Sequence, residues 1–212
     1  MAQSSRFWDK IADKYSKQPI ADQASYEKKL SVTREYLRPD MEALEFGCGT
    51  GSTALLHAPY VKHIRAIDFS ANMIAIARRK AADQNIDNVT FEQASIDALQ
   101  VPDQSLDIVF GLSILHLLED KEAVMAKVYK MLKPGGLFVS STVCIGEAMS
   151  WFKFIAPVGK ALGVFPLIQV FKVNDLVESL TQARFSIDHQ WQPEKAMTVF
   201  IVAQKLRATG NV

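Results

Sequence analysis

The chain has 212 residues, 49% apolar and 22% charged, which suits one globular domain able to fold without disulfides or metal and excludes a disordered protein. Its 24 basic and 23 acidic side chains nearly cancel, so the broad positive field that non-specific nucleic-acid binding leans on is missing and no nucleic-acid partner is expected. Cys48 and Cys144 are too few for a disulfide framework and lack zinc-site spacing, so both read as free thiols of a reducing cytoplasm. The start, Met-Ala-Gln-Ser-Ser-Arg-Phe-Trp, shows no basic-then-apolar signal, and a cytoplasmic location is expected. Two short basic clusters, Lys28, Lys29, Arg34 and Arg78, Arg79, Lys80, read as solvated helix faces.

From the N-terminus, Phe7, Trp8, Ile11 and Tyr15 recur at helical spacing among charged residues over 4–17, and a second helical stretch runs from about Ala24 to Leu37 and stops at Pro39. Together they make an expected helical cap over 1–38. Apolar runs then follow at Met41 to Phe46, Ile64 to Ile67, Val89 to Glu92, Leu106 to Phe110 and Leu137 to Ser141. Helical segments at Thr53 to His57, Ala71 to Asn85 and Lys121 to Leu132 separate them. Strands alternating with helices predict βαβ crossovers and a parallel sheet. Phe185 to Trp191 and Ala196 to Gln204 flank a polar stretch with Pro193, the pattern of a hairpin, which brings the expected strands to seven. No repeat or low-complexity segment interrupts the chain.

The informative segment is Glu45-Phe46-Gly47-Cys48-Gly49-Thr50-Gly51, where a predicted strand passes into a helix. In an open α/β sheet ligands bind outside the carboxyl ends of the strands, and glycines there let backbone amides approach them. The spacing is not Gly-x-Gly-x-x-Gly, which weighs against a dinucleotide. Asp68 closes the second strand in Ala66-Ile67-Asp68-Phe69-Ser70, where a carboxylate can accept from both ribose hydroxyls. Asp68 could instead cap the next helix. Ser70 is the better cap, which leaves Asp68 to a ligand.

With these residues the chain resembles the class I S-adenosylmethionine-dependent methyltransferases that act on small molecules. The match runs from about Glu42 to Ser141 and rests on Leu44-Glu45-Phe46-Gly47-Cys48-Gly49-Thr50-Gly51, Ile67-Asp68-Phe69-Ser70-Ala71-Asn72-Met73 and Leu132-Lys133-Pro134-Gly135-Gly136. The resemblance implies a Rossmann-like three-layer α/β sandwich with a seven-stranded, mostly parallel sheet whose last strand is antiparallel. It implies S-adenosylmethionine as cofactor and S-adenosylhomocysteine as product. Gly47, Gly49 and Gly51 would form the floor under the methionine part, with Glu45 and Cys48 of the same loop also cofactor-binding and Cys48 packing rather than acting as a nucleophile; Asp68 would hold the ribose, and Phe69 and Met73 would pack on the adenine. Relatives often read Gly-Asp-Ala after the third strand, where this chain has Ala94-Ser95-Ile96. Ser95 or Asp97 then stands in for that acid, beside the Ile96 amide. Lys133-Pro134-Gly135-Gly136 reads as a turn before the fifth strand.

Methyl transfer from a sulfonium is an in-line displacement, so positioning and water exclusion supply much of the rate and a base is needed only for a protonated acceptor. In the family, the loop after strand four, Gly111-Leu112-Ser113-Ile114-Leu115-His116, lines the cofactor with its first residues and faces the acceptor with later ones. His116 and Tyr15 are the candidate catalytic side chains; the alternative is that His116 only packs at the next helix. His57, His63 and His189 lie away from the expected site. Gly111 to Ile114 offer no cluster of hard oxygen ligands, and no metal is expected.

Met149 to Phe171 is rich in Trp, Phe, Ile, Leu and Val, and lies within a predicted apolar insertion over 145–175. Lys153, Pro157, Lys160 and Pro166 argue against a membrane span. Three readings stay open: a lid over a partly apolar acceptor, a dimer or core surface, and a peripheral membrane patch. Monomer and homodimer are both open. The rival functions are a protein or RNA methyltransferase, a methyltransferase-like binding protein without chemistry, and a nicotinamide-dependent oxidoreductase that the glycine spacing disfavours.

Overall fold

A computed structural model of the chain describes residues 2–146, 167–194 and 196–206. Two helices, α1 (Ala2–Ser16) and α2 (Gln23–Tyr36), precede β1 (Glu42–Phe46), α3 (Ser52–His57), β2 (His63–Asp68), α4 (Ala71–Asp83) and β3 (Val89–Gln93). Then come β4 (Leu106–Leu112), α5 (Lys121–Met131), β5 (Leu132–Val143), α6 (Val173–Gln182), β6 (Phe185–Trp191) and β7 (Thr198–Lys205), with 3₁₀ turns at Ala58–Tyr60 and Leu115–Leu117. The strands form one sheet in the order β3-β2-β1-β4-β5-β7-β6. Strands β1 to β5 pair in parallel, and β7 inserts antiparallel between β5 and β6. This is the Rossmann-like arrangement that the resemblance implied, built on the parallel sheet expected from the alternating pattern.

Alternation along the central strands puts one set of side chains on each face. Leu44, Phe46, Val109, Phe138 and Ile201 pack on one side with Val124, Met125 and Val128 of α5 and Leu176 and Leu180 of α6. Ala43, Ile108, Phe110, Val139 and Phe200 pack on the other with Ala54 and Leu55 of α3 and Ile74 and Ala77 of α4. The helix starts follow capping chemistry: Asp22, Ser70 and Asp120 accept from the amides of Ser25, Met73 and Ala123.

The turn at Lys133–Gly136 lies inside β5 rather than before it. Leu106 pairs with Leu132 and Ile108 with Leu137, so residues 133–136 bulge out opposite Asp107. Gly135 takes φ +82° there, and Lys133 Nζ meets Asp107 Oδ2 at 2.8 Å. Helix α6 was not among the expected elements. Its signal is in the sequence: Val173, Leu176 and Leu180 at helical spacing, with the Asp175 carboxylate accepting from the Lys172 amide at the start.

Most of the 149–171 stretch lies outside the described residues. Its end does not: Phe171 is buried in the core next to Val173, and its carbonyl accepts from the Gly146 amide at 3.0 Å. At that position the apolar residue serves packing.

Candidate active site

The strand order reverses between β1 and β4, and the crevice beyond the carboxyl ends of these strands is where an open α/β sheet binds ligands. A cavity of about 660 Å³ opens there. Its floor comes from the glycine loop, Asp68 and Phe69 after β2, Leu112 to Ile114 after β4, Ser141 on β5, and Thr198 and Phe200 on β7. Its cover comes from α1 and α2, through Trp8, Tyr15, Tyr26, Lys29 and Thr33.

Asp68 is the organising acid. Its Oδ2 accepts from the Gly49 amide and its Oδ1 from the Ser70 amide, each at 2.9 Å. It is therefore not free as the sequence suggested, since both oxygens already hold the two loops together. Each oxygen keeps a lone pair for a further donor. Burial raises its pKa while the two amides pull it back down.

The loop glycines divide by what surrounds them. A side-chain carbon on Gly51 (φ +75°) would come within 2.6 Å of the Phe91 ring, and Gly51 does not line the cavity. On Gly49 (φ +54°) it would meet only Tyr15, at 3.9 Å, in the open cavity. Gly49 therefore keeps space for a ligand, whereas Gly51 serves helix packing. Gly111 is likewise walled in by Phe46 and Phe138 and stays out of the cavity.

Glu45 is 3% exposed, and its Oε2 has no hydrogen-bond partner among the described residues. Burial, with the Asp68 charge nearby, pushes its pKa up to about 8. A buried carboxyl without a partner is costly, so its retention beside the glycine loop marks a place for a cationic group. Tyr15 leaves 44% of its surface exposed, yet desolvation of its hydroxyl and the Asp68 charge raise its pKa. It stands as a neutral phenol, a donor rather than a base.

Of the expected site residues, Glu45, Gly47, Cys48, Gly49, Asp68, Phe69, Met73, Leu112 and Tyr15 meet around this cavity. Gly51, Gly111, Ser95, Ile96 and His116 do not line it. Ser95 Oγ accepts from the Ala98 amide, which makes it a turn cap, and Ile96 is buried in the core. Asp97 is exposed, and its carbonyl takes the Lys127 ammonium. His116 sits on the 3₁₀ turn, where its carbonyl accepts from the Gln169 amide at 2.7 Å. The returning 167–172 segment packs on this turn, and burial pushes the imidazole down to about 4. The base expected at His116 is not brought to the cavity.

Two corrections run the other way. His57, set aside from sequence, lines the cavity at 1% exposure, its ring stacked 5.1 Å from Phe110. Burial and the Arg34 charge lower its pKa to about 4, so it is neutral, and neither ring nitrogen has a partner among the described residues. Lys29, read as part of a solvated face, turns inward and donates to Ser141 Oγ at 3.0 Å. Helix periodicity places Lys29 with Tyr26 and Thr33 on one face, which was the available signal. Ser113, in the loop expected to line the site, takes φ +56° as its amide donates to the Ser141 carbonyl at 2.7 Å.

No helix among the described residues is long and apolar enough to cross a membrane, and none of their His, Cys, Asp and Glu side chains cluster as a metal site.

This layout, a glycine loop after β1, an acid after β2 and an antiparallel β7, agrees with comparison to known proteins. A family model described as a methyltransferase domain matches residues 37–203, and the chain belongs to that family. Over 110 residues it is 30% identical to the uncharacterized methyltransferase YcgJ of Bacillus subtilis, covering 52% of this chain and 44% of that protein. Over 121 residues it is 32% identical to phosphoethanolamine N-methyltransferase 1 of Arabidopsis thaliana, covering 54% of this chain and 24% of that one. The chain thus spans less than half the length of these curated relatives. The crystal structure of Bacillus subtilis YcgJ shares the fold with a TM-score of 0.71 at 16% identity, covering 85% of this chain and 99% of that chain.

Proposed function

We propose that the protein is an S-adenosylmethionine-dependent methyltransferase acting on a small molecule without a metal ion. The observation that carries this reading is the Asp68 carboxylate, locked by the Gly49 and Ser70 amides beside the open face of Gly49. The remaining lone pairs of Asp68 suit a ribose diol. Glu45, buried with an orphaned oxygen next to the same loop, suits the α-ammonium of the methionine part. Phe69 and Met73 supply apolar surface beside Asp68 for the adenine. The residues present therefore fit the group.

When bound, the cofactor supplies an electrophilic methyl on a sulfonium. The chain's part is to hold and to dry the reaction. Trp8 and Tyr15 pack edge to face at 6.2 Å beside the cavity, where a bound cofactor would lie under them. Their π faces suit a positively charged sulfur. Neutral Tyr15 can donate to the acceptor or the cofactor but does not take a proton near neutral pH. No base is assigned, and alignment plus water exclusion account for the acceleration. The activities for which relatives are named, phosphoethanolamine N-methylation among them, support a small-molecule acceptor.

Calorimetric titration with S-adenosylhomocysteine tests this. Wild type is expected to bind in the micromolar range, and Asp68→Ala to bind about 10- to 100-fold more weakly, the loss of about 1–3 kcal/mol expected for buried hydrogen bonds to a charged group. Absence of binding to the wild type overturns the reading.

A further inference from the structure

The cavity is longer than its cofactor end. It extends from Asp68 at β2 to Thr198 and Phe200 on β7, across β1, β4 and β5, four strand spacings or about 19 Å. The two ends differ in charge. Glu45 and Asp68 stand at the β1–β2 end, and Lys29 is the sole lysine or arginine among the described lining residues.

Lys29 lies toward the other end, over β5. It donates to Ser141, whose strand is separated from β1 by β4. Among the acids, the Asp22 charge acts on it, and it forms no ion pair among the described residues. One of its three donors is spent on Ser141, which leaves two. Burial pushes its pKa down, the mark of a cation short of counter-charge.

His57 supplies a second, independent observation. It stacks on Phe110 in the middle of the sheet, which pairs with Glu45 of β1 on one side and on the other with Val139 of β5, two residues from Ser141. His57 and Lys29 are thus anchored on sheet positions on the order of 8 Å apart. A buried neutral imidazole with neither nitrogen partnered keeps one N–H for an incoming acceptor atom.

We propose that the β5–β7 half of the cavity is an acceptor subsite for an oxyanion, carboxylate or phosphate, held by Lys29 and Ser141 with the His57 N–H as a further donor. The methylated molecule is then a small acid whose anionic group is gripped at β5 while its nucleophilic atom reaches back toward β4 and the glycine loop. This deepens the methyl-transfer reading and rests on it. It adds an anionic group to the partly apolar acceptor expected from the sequence, because Lys29, Ser141 and His57 stand among apolar neighbours such as Leu30, Pro193 and Phe200.

The test uses the full chain saturated with S-adenosylhomocysteine and titrated with inorganic phosphate and, separately, with acetate. Wild type is expected to bind one of these at millimolar levels, and the tighter of the two names the acceptor's anionic group. Lys29→Met should weaken that binding at least tenfold and Lys29→Arg should restore it, with S-adenosylhomocysteine affinity changed less than about twofold. Ser141→Ala, which keeps the ammonium but removes its anchor, should weaken the anion by a smaller factor and is the variant to read if Lys29→Met does not fold. The proposal is overturned if neither anion binds or if binding ignores these substitutions. It is equally overturned if Lys29→Met weakens S-adenosylhomocysteine tenfold but spares 5′-methylthioadenosine, which lacks the amino-acid tail, because Lys29 would then hold the cofactor's own carboxylate. If wild type binds no S-adenosylhomocysteine, the methyl-transfer reading fails by itself, and phosphate titration of the free protein still decides the Lys29 site.

Discussion

The two ends of the cavity are made by different means. At the β1–β2 end the recognition groups are backbone amides and two carboxylates within 24 residues of sequence, Glu45 to Asp68, and their geometry is set by positive-φ glycines and a capped helix. At the β5–β7 end they are side chains from α2, α3, β5 and β7, brought together from Lys29 to Phe200. The first end is a local motif, rigid because its loops are bonded to one another through Asp68. The second is an assembly, and its chemistry depends on how a helix lies across a sheet.

The contrast can be broken most sharply in the glycine loop. Gly51→Val would drive a branched side chain into Phe91 and Ala77 at a left-handed backbone position. It is expected to destabilise the fold by about 3 kcal/mol or more, seen as a fall in the urea midpoint. Gly49→Ala meets open space, so its stability loss should stay near the left-handed strain of about 1–2 kcal/mol while S-adenosylhomocysteine affinity drops at least tenfold. Equal loss of stability in both variants would show that the two glycines do not divide between packing and binding.

Glu45 gives a pH handle on the same end. Its folded pKa lies near 8, above the ordinary value of 4.5, so the native state holds a proton that the unfolded chain releases. Its relative contribution is fully favourable below pH 4.5 and is lost as pH rises through 8. Glu45→Gln should therefore be more stable than wild type at pH 8.5, by on the order of 1–3 kcal/mol, with no such gain at pH 4.5. S-adenosylhomocysteine, by placing an ammonium beside the carboxyl, should expel this proton near pH 7. The binding enthalpy would then vary with the ionisation heat of the buffer in wild type and not in Glu45→Gln.

The smallest expected effect concerns the cover. Asp9 of α1 accepts from Ser70 Oγ at 2.6 Å and from the Asn72 amide at 3.1 Å, tying the helix to the start of α4 while Trp8 and Ala12 pack near Met73 and Ile76. Asp9→Ala should lower stability by about 1 kcal/mol and raise amide hydrogen exchange in α1 before any other helix. Unchanged exchange there would mean that packing alone holds the cover.

Much of this molecule was legible beforehand because its signals are short-range. The strand and helix periods gave all seven strands, and Ser70 was recognised as a cap from its place before Ala71-Asn72-Met73. Helix α6 was passed over although Val173, Leu176 and Leu180 carry its period. The apolar stretch before it drew the reading toward an insertion. His116 lies off the cavity for a different reason: the 167–172 segment bonds to that turn, and nothing local announces a contact made more than 50 residues away.

The alternation of strands and helices, the glycine loop and the acid after β2 were legible from neighbouring residues, because each rests on dihedral preference, capping or periodicity along the chain. The tertiary structure alone decided which glycine faces a ligand, that Asp68 is already bonded to two amides, and that Lys29 and His57 turn into the cavity. Those outcomes depend on which surface of a helix meets which row of a sheet, a matter of packing between residues as far apart as Lys29 and Ser141.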